Sequence, residues 1–247
     1  MIRGDYTAVS GMVAAQKRMD ILSNNVANVS TVGFKELLAT QENVGFDVGI
    51  TWGDGSGWSS IGPLSLGTEP TGLTVNRLQG PLIETGLPTD LAIAGDGLFV
   101  VGTPTGPAYT RAGNFVLDAN GSLVTQNGEP VLDVTGRPIV VPGGAAGLAV
   151  AADGTITGTG QRIALVQFPA DGLSRLGENL YVIDGAVTPV VPGEGSIRQG
   201  TLEGSNVNLA ASMTELIAVQ RSFQLASRSL VIQDQTLADA NQVGRLR

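Results

Sequence analysis

The sequence predicts an α+β protein: an all-β middle domain, built as an antiparallel sandwich or open barrel, with long N- and C-terminal helices forming a coiled-coil core layer. Three observations lead there. All 12 prolines lie between Pro63 and Pro192, and glycine, common in that zone, is reduced to Gly244 in 206–247 and to Gly4, Gly11 and Gly33 in 1–41. Both ends carry apolar residues at helical spacing. The middle alternates short apolar runs with turn dipeptides. Proline costs roughly 3 kcal/mol and glycine roughly 1 kcal/mol inside a helix, so the ends are free to be helical and the middle is not.

Residues 1–42 read as a helix followed by a turn. Ala8, Met12, Ala15, Met19, Leu22 and Val26 alternate spacings of four and three, which places them on one stripe. Gln16, Lys17, Asp20 and Ser23 fall on the opposite face, and Thr7 or Asp5 stands where a cap belongs. The run Ser23-Asn24-Asn25-Val26-Ala27-Asn28 should end the helix, because Asn and Ser side chains compete for backbone hydrogen bonds. Gly33 marks the turn beyond it. Residues 43–75, rich in Gly, Ser and Thr, read as an extended arm with little regular structure. Trp52 and Trp58 in that arm suit an anchor to a neighbouring surface or a stacking platform for a sugar.

Residues 76–205 read as β. Leu91–Ala94, Leu98–Val101, Phe115–Leu117, Ile139–Val141, Ile163–Val166 and Leu180–Ile183 are the strand candidates. Between them stand Asp96-Gly97, Asn120-Gly121, Asn127-Gly128, Asp153-Gly154, Asp171-Gly172 and Asp184-Gly185, which supply the positive φ of tight hairpins. In 206–247 the residues Leu216, Val219, Phe223, Ala226, Leu230, Leu237 and Ala240 repeat at three and four, with Gln233 the one polar intruder. Ser205, Asn206 or Asn208 can cap this helix, and Gly244 can stop it. From about 208 to 242 it measures roughly 50 Å, far beyond the usual length of about 11–12 residues. Long helices with one narrow apolar seam are characteristically coiled-coil partners.

Cysteine and histidine are both absent. Those zeros exclude disulfide scaffolds, Cys- or His-ligated zinc, Cys nucleophiles and the usual base of hydrolytic triads. The carboxylates that remain read as turn residues: Asp96 precedes Gly97, and Asp90 stands at a strand entry. Asp118-Ala-Asn120-Gly121 lacks the ligand spacing of a calcium loop and reads as a hairpin. No glycine pattern fits a phosphate cradle, and neither a metal nor a cofactor is expected.

The formal charge of −8 is unevenly spread. Residues 1–41 hold four cations against three acids (+1), and so do residues 206–247 (+1), which leaves −10 for residues 42–205. An acidic middle repels phosphates, so nucleic acid is not an expected partner. No run approaches the ~18–20 apolar residues of a membrane span, so no membrane insertion is expected, and the N-terminus lacks a secretion-signal pattern. The near-neutral ends suit segments that meet other protein.

At this point the residues resemble a known family. The run Ile21-Leu-Ser-Asn24-Asn25-Val-Ala-Asn28-Val-Ser-Thr31-Val-Gly33-Phe34-Lys35 resembles the N-terminal signature of bacterial flagellar basal-body rod proteins, which is shared with hook proteins. Thr89-Asp-Leu-Ala-Ile-Ala-Gly-Asp-Gly97-Leu-Phe-Val-Val101, Tyr109-Thr-Arg-Ala-Gly-Asn114-Phe and Leu202-Glu-Gly-Ser-Asn206-Val-Asn208, followed by Gln220-Arg221-Ser-Phe223, are similar to its later landmarks. The resemblance covers most of the chain outside roughly 43–75, whose arm resembles the extended segment of proximal and distal rod subunits.

The resemblance implies a structural, non-enzymatic subunit of the rod. It implies passage through the flagellar type III export apparatus without a cleaved signal peptide, and helical assembly with copies of itself and neighbouring rod and hook proteins. The expected interface comprises Met12, Met19, Leu22, Asn24, Asn25, Asn28, Phe34, Leu216, Val219, Phe223, Leu230 and Leu237. For the three asparagines, hydrogen bonding across subunits and simple helix termination both remain open. Other readings are a hook-type axial protein, a secreted carbohydrate-binding or adhesive β module, and a carboxylate-only hydrolase, which needs two acids roughly 5–10 Å apart in a cleft.

Overall fold

The proline- and glycine-poor ends form the two helices, α1 (Ile2–Ala27) and α2 (Leu209–Arg245). The computed structural model describes residues 2–51, 58–167, 172–177, 179–183, 188–189 and 195–245. Helix α1 ends inside the asparagine run, as the side-chain competition requires. Helix α2 is capped by Asn208, whose Oδ1 accepts the Ala211 N–H at 3.1 Å while its carbonyl accepts the Ser212 N–H at 2.9 Å. It continues through Gly244 to Arg245 rather than stopping near 242.

Among the described residues, thirteen strands lie between the helices: β1 (Leu37–Thr51), β2 (Trp58–Val75), β3 (Leu82–Glu84), β4 (Leu91–Gly95), β5 (Leu98–Thr103), β6 (Gly106–Thr110), β7 (Val116–Leu117), β8 (Leu123–Val124), β9 (Leu165–Val166), β10 (Leu173–Gly177), β11 (Leu180–Ile183), β12 (Gly195–Gln199) and β13 (Thr201–Glu203). The α+β class therefore holds. Of the segment 43–75, expected to have little regular structure, the described residues 43–51 and 58–75 belong instead to the paired strands β1 and β2. The run Val44-Gly-Phe46-Asp-Val48-Gly-Ile50 carries the period-two alternation of a strand, which the glycine and threonine content obscured. Trp52 lies outside the described residues, as do the side chain of Trp58, Asp171 and the turn Asp184-Gly185.

The chain divides into two units. The first consists of Met1–Ala27, Leu37–Thr74 and Asn208–Arg247, and the second of Asn28–Glu36 and Val75–Val207. In the second, β10-β11-β6-β5-β9 form a five-stranded antiparallel sheet, and β12-β4, β13-β3 and β7-β8 form antiparallel ladders of two. The apolar positions of these short strands make its core, with Leu91, Phe99, Val101, Leu123, Ile139 and Ile163 all essentially inaccessible. Phe99 and Phe115 meet edge to face, with ring centres 5.2 Å apart. Ile139–Val141 contributes to this core through isolated bridges rather than a full strand.

The turn chemistry follows the sequence. Asp118 ties off the β7–β8 hairpin by accepting the Asn120 N–H at 2.9 Å and the Ser122 N–H at 2.7 Å. Asp133 does the same for the turn at 133–137: its Oδ1 accepts the Thr135 hydroxyl at 2.6 Å and the N–H groups of Thr135 and Arg137 at 2.8 and 3.0 Å. Burial pushes the Asp133 carboxyl up, but those donors outweigh burial and hold it below the ordinary value of 3.8. The depressed carboxyl therefore adds stability above pH 3.8, and that share is lost as pH falls through the lower folded value. Asp133→Asn should lower stability at pH 7 by about 1 kcal/mol. The gap from wild type should close below pH 3.8 in paired urea melts.

Candidate assembly interface

The predicted helical stripes run along the covered faces of α1 and α2, except that Ala240 is exposed. In the first unit Ala15, Leu22 and Val219 form a buried cluster, with Met19, Leu216 and Phe223 packed against it. Arg18 pairs with Glu215 at its rim. Gly11 and Ser222 line one hollow with Arg18 and Glu215, as two antiparallel helices require. Met12, Leu230 and Leu237 are half-buried on the same stripes, outside this cluster. The opposite faces are a different surface. On α1, Tyr6, Val9 and Val13 are exposed at spacings of three and four, and on α2, Leu209, Met213 and Ile217 are exposed at spacings of four.

The asparagines separate by role. Asn24 is on the exposed side of α1. Asn25 is buried, its Nδ2 donating to the Leu37 carbonyl at 2.8 Å and its Oδ1 accepting the Leu37 N–H at 2.9 Å. One amide thus completes both backbone groups at the start of β1. Asn28, half-buried in the second unit, ties off the next turn by accepting the Thr31 N–H and hydroxyl, each at 3.1 Å. Phe34 is fully enclosed in that unit, with the Arg175 guanidinium 4.9 Å from its ring centre. Of the expected interface residues, then, Leu22, Asn25, Phe34 and Val219 are buried within the chain itself.

The second unit also holds a charged knot that side-chain patterning did not disclose. Lys35, Arg111 and Glu203 are 1%, 3% and 1% exposed. Glu203 Oε1 accepts Lys35 Nζ at 2.7 Å and the Gly80 N–H at 2.9 Å, and its Oε2 accepts Arg111 Nε at 2.6 Å. Backbone carbonyls take the surplus positive charge: Leu78 accepts from Lys35 at 2.8 Å, and Ile93, Gly95 and Gly97 accept from Arg111. Burial pulls the Lys35 ammonium below its ordinary value, and the Glu203 hydrogen bond works against that shift. Gly33 fits here because its φ is +66° and a Cβ would lie 2.5 Å from the Ala112 nitrogen. Asn206, a candidate cap by sequence, instead accepts the Glu36 N–H at 2.7 Å and donates to the carbonyls of Asn76 and Leu78 at 3.0 and 2.8 Å.

Asp90 is buried at a turn, donating its N–H to the Leu87 carbonyl at 3.1 Å, and Asp96 is exposed beside Gly97. Among the described residues no group of three or more acidic side chains is placed to hold a metal ion, and no helix is long and apolar enough to cross a membrane.

Lys35, Arg111 and Glu203 come from three of the stretches that carry the family resemblance, and comparison with known proteins bears the resemblance out. Residues 6–35 match a family described as flagella basal body rod protein, residues 92–158 the flagellar hook protein FlgE/F/G D1 domain, and residues 198–243 the flagellar basal body rod FlgEFG protein C-terminal region. The flagellar basal-body rod protein FlgG of Bacillus subtilis is 37% identical, with 97% of this chain and 98% of that protein covered. FlgG of Buchnera aphidicola from Acyrthosiphon pisum is 36% identical over 98% and 100%. The flagellar basal-body rod protein FlgF of Rhizobium meliloti is 39% identical over 90% of each. The chain belongs to the flagellar basal-body rod protein family. It is a structural rod subunit of the flagellar basal body.

Two outcomes test the geometry of this rod protein. Glu203→Gln leaves two buried cations without a counter-charge and should cost about 3–5 kcal/mol, read as an earlier urea midpoint, with Lys35→Met in the same chain restoring part of the loss. Asn25→Asp removes the donor to the Leu37 carbonyl and sets a carboxylate oxygen against it. That change should cost about 1–3 kcal/mol, seen as a lower melting temperature of the helical signal.

Proposed function

We propose that this rod subunit assembles helically, with copies of itself and with neighbouring rod and hook proteins, through its terminal helices. The observation that carries the reading is the two-sided character of those helices. One stripe of each is spent on the other helix, while Tyr6, Val9, Val13, Met213 and Ile217 remain exposed on other faces. A second helix layer would remove those side chains from water at about 25 cal/mol per Å² of apolar surface. In this reading α1 and α2 form a coiled-coil inner layer of the drive shaft. The +1 charge of each end permits close approach of like copies, while the −10 of residues 42–205 suits a solvated surface.

The same reading makes the protein a non-enzymatic part that acts by transmitting force. It passes through the flagellar export apparatus unfolded and orders its helices on joining the rod, since isolated helices are marginal without a packing partner. A chain free of cysteine cannot form wrong disulfides on leaving the cytoplasm. Coverage favours the FlgG branch: the FlgG relatives align over 96–99% of this chain and the FlgF relatives over 89–91%.

Phe223→Asp tests the seam. It should abolish incorporation into isolated basal bodies and swimming in soft agar, while the second unit unfolds in urea as in wild type. Normal rods and normal motility with this variant would sink the proposal.

A further inference from the structure

Asn206 stands where the sequence suggests a helix cap, yet its amide is spent inside the second unit. Its Oδ1 accepts the Glu36 N–H at 2.7 Å, and its Nδ2 donates to the carbonyls of Asn76 and Leu78 at 3.0 and 2.8 Å. Asn76 in turn donates its N–H to the Glu36 carbonyl at 2.8 Å and its Nδ2 to Glu36 Oε2 at 2.9 Å. The second unit consists of residues 28–36 and 75–207. Residues 36, 76 and 206 thus stand at, or one residue from, three of the four points where the chain passes between units.

The order of the bonds shows how two of these passages run. Gly33 donates its N–H to the Glu203 carbonyl at 2.7 Å, and Asn206 donates its N–H to the Phe34 carbonyl at 3.4 Å. With the Glu36 N–H on Asn206, the backbone partners advance together, so 33–36 and 203–206 lie side by side in the same direction. Lys35 Nζ on Glu203 Oε1, at 2.7 Å, adds an ionic rung. The chain leaves the first stretch for α1 at its N-terminal end and the second for α2 at its C-terminal end. In a parallel pair those are opposite ends. Tension between the helices therefore slides one stretch along the other, so the rungs share the load and must give way together. Pulled from one shared end, the pair would open one rung at a time.

We propose that 33–36 and 203–206, tied by Asn206 and Glu203, are a mechanical clamp that keeps the second unit closed when tension enters through the terminal helices. Resistance to force follows the unfolding rate rather than equilibrium stability, and rungs that break in one step raise that barrier together. The use of the clamp rests on the subunit transmitting force, but its strength is a property of the single chain.

The chain has no cysteine, so two introduced cysteines fix where DNA handles attach for optical-tweezers measurements on the full chain. Ser30, Leu38 and Ala210 are all exposed. Ser30→Cys with Ala210→Cys gives the sliding axis, and Leu38→Cys with Ala210→Cys the peeling axis. At one constant force the second unit, recognised by the length of chain it releases, should survive about tenfold longer or more on the sliding axis. Adding Asn206→Ala should remove most of that difference. Asp133→Asn, which weakens the same unit at the turn 133–137, should shorten the sliding lifetime by less than about twofold. Equal lifetimes on the two axes would overturn the clamp, and so would equal losses from Asn206→Ala and Asp133→Asn. The comparison of axes needs no change at Asn206, so it decides the matter even where Asn206→Ala fails to fold. Neither result bears on assembly through the helices, which Phe223→Asp tests separately.

Discussion

The second unit is organised around one carboxylate. Glu203 is the last residue of β13, Lys35 follows the turn after α1, and Arg111 follows β6. Bringing them together closes chain separations of 168 and 92 residues, which is entropically costly, and it removes three charges from water. Such a cluster is tolerable only when nearly every donor and acceptor is used. Here Glu203 takes a lysine, an arginine and a backbone N–H, and the two cations spend their remaining donors on carbonyls of 78, 93, 95 and 97. The knot therefore dictates more than its own position: it fixes the residues after β2, the β4–β5 turn and the segment 33–36 at once. Gly33 donates its N–H to the Glu203 carbonyl at 2.7 Å, and no larger residue fits there.

The first unit is held by different means. Among its described residues the apolar cluster is small, three buried side chains with three more packed on it. What sharpens it is polar: Asn25 clasps both backbone groups of Leu37, and Asn208 starts α2 at a defined residue. These bonds settle where each helix begins or ends without adding much apolar burial. The same helices expose large apolar side chains that a self-sufficient domain would cover. The contrast is with the second unit, where fifteen buried apolar residues among those described form one cluster, while the helices of the first leave apolar surface uncovered.

How much of this was legible in the sequence depends on the range of the interaction. Helix existence and the covered stripes are set by spacing within a few residues, so the 3,4 repeat found them, including the odd position of Gln233. Hairpins closed by Asn120-Gly121 and Asp153-Gly154 were equally local. Strands β1 and β2 were hidden because glycine, proline and threonine read as loop, although the alternation from Val44 to Ile50 was there to be seen. The charged knot was out of reach of any local rule: Lys35, Arg111 and Glu203 look individually like surface charges. Only the family resemblance marked all three, and it did so without indicating that they touch. The surroundings of Phe34, and the choice left open for Asn25 between ending the helix and bonding across subunits, were out of reach for a related reason, since neither spacing nor residue type reveals that an arginine or a buried backbone end lies opposite.

Placing charge at the centre of one unit and apolar groups on the surface of the other inverts the usual arrangement, and each half of the inversion has a physical reason. A buried ionic cluster is weak evidence for added stability, since apolar residues of similar volume often do as well. What it supplies is discrimination, because a misplaced segment strands a charge and costs far more than a misplaced leucine. Exposed apolar side chains on the helices carry the opposite property. Apolar burial is non-directional, so such side chains favour contact without dictating alignment, whereas hydrogen-bonding groups dictate it. Within the fold, positional specificity is therefore concentrated in a handful of amides and carboxylates such as Asn25 and Glu203, while apolar burial supplies the driving force.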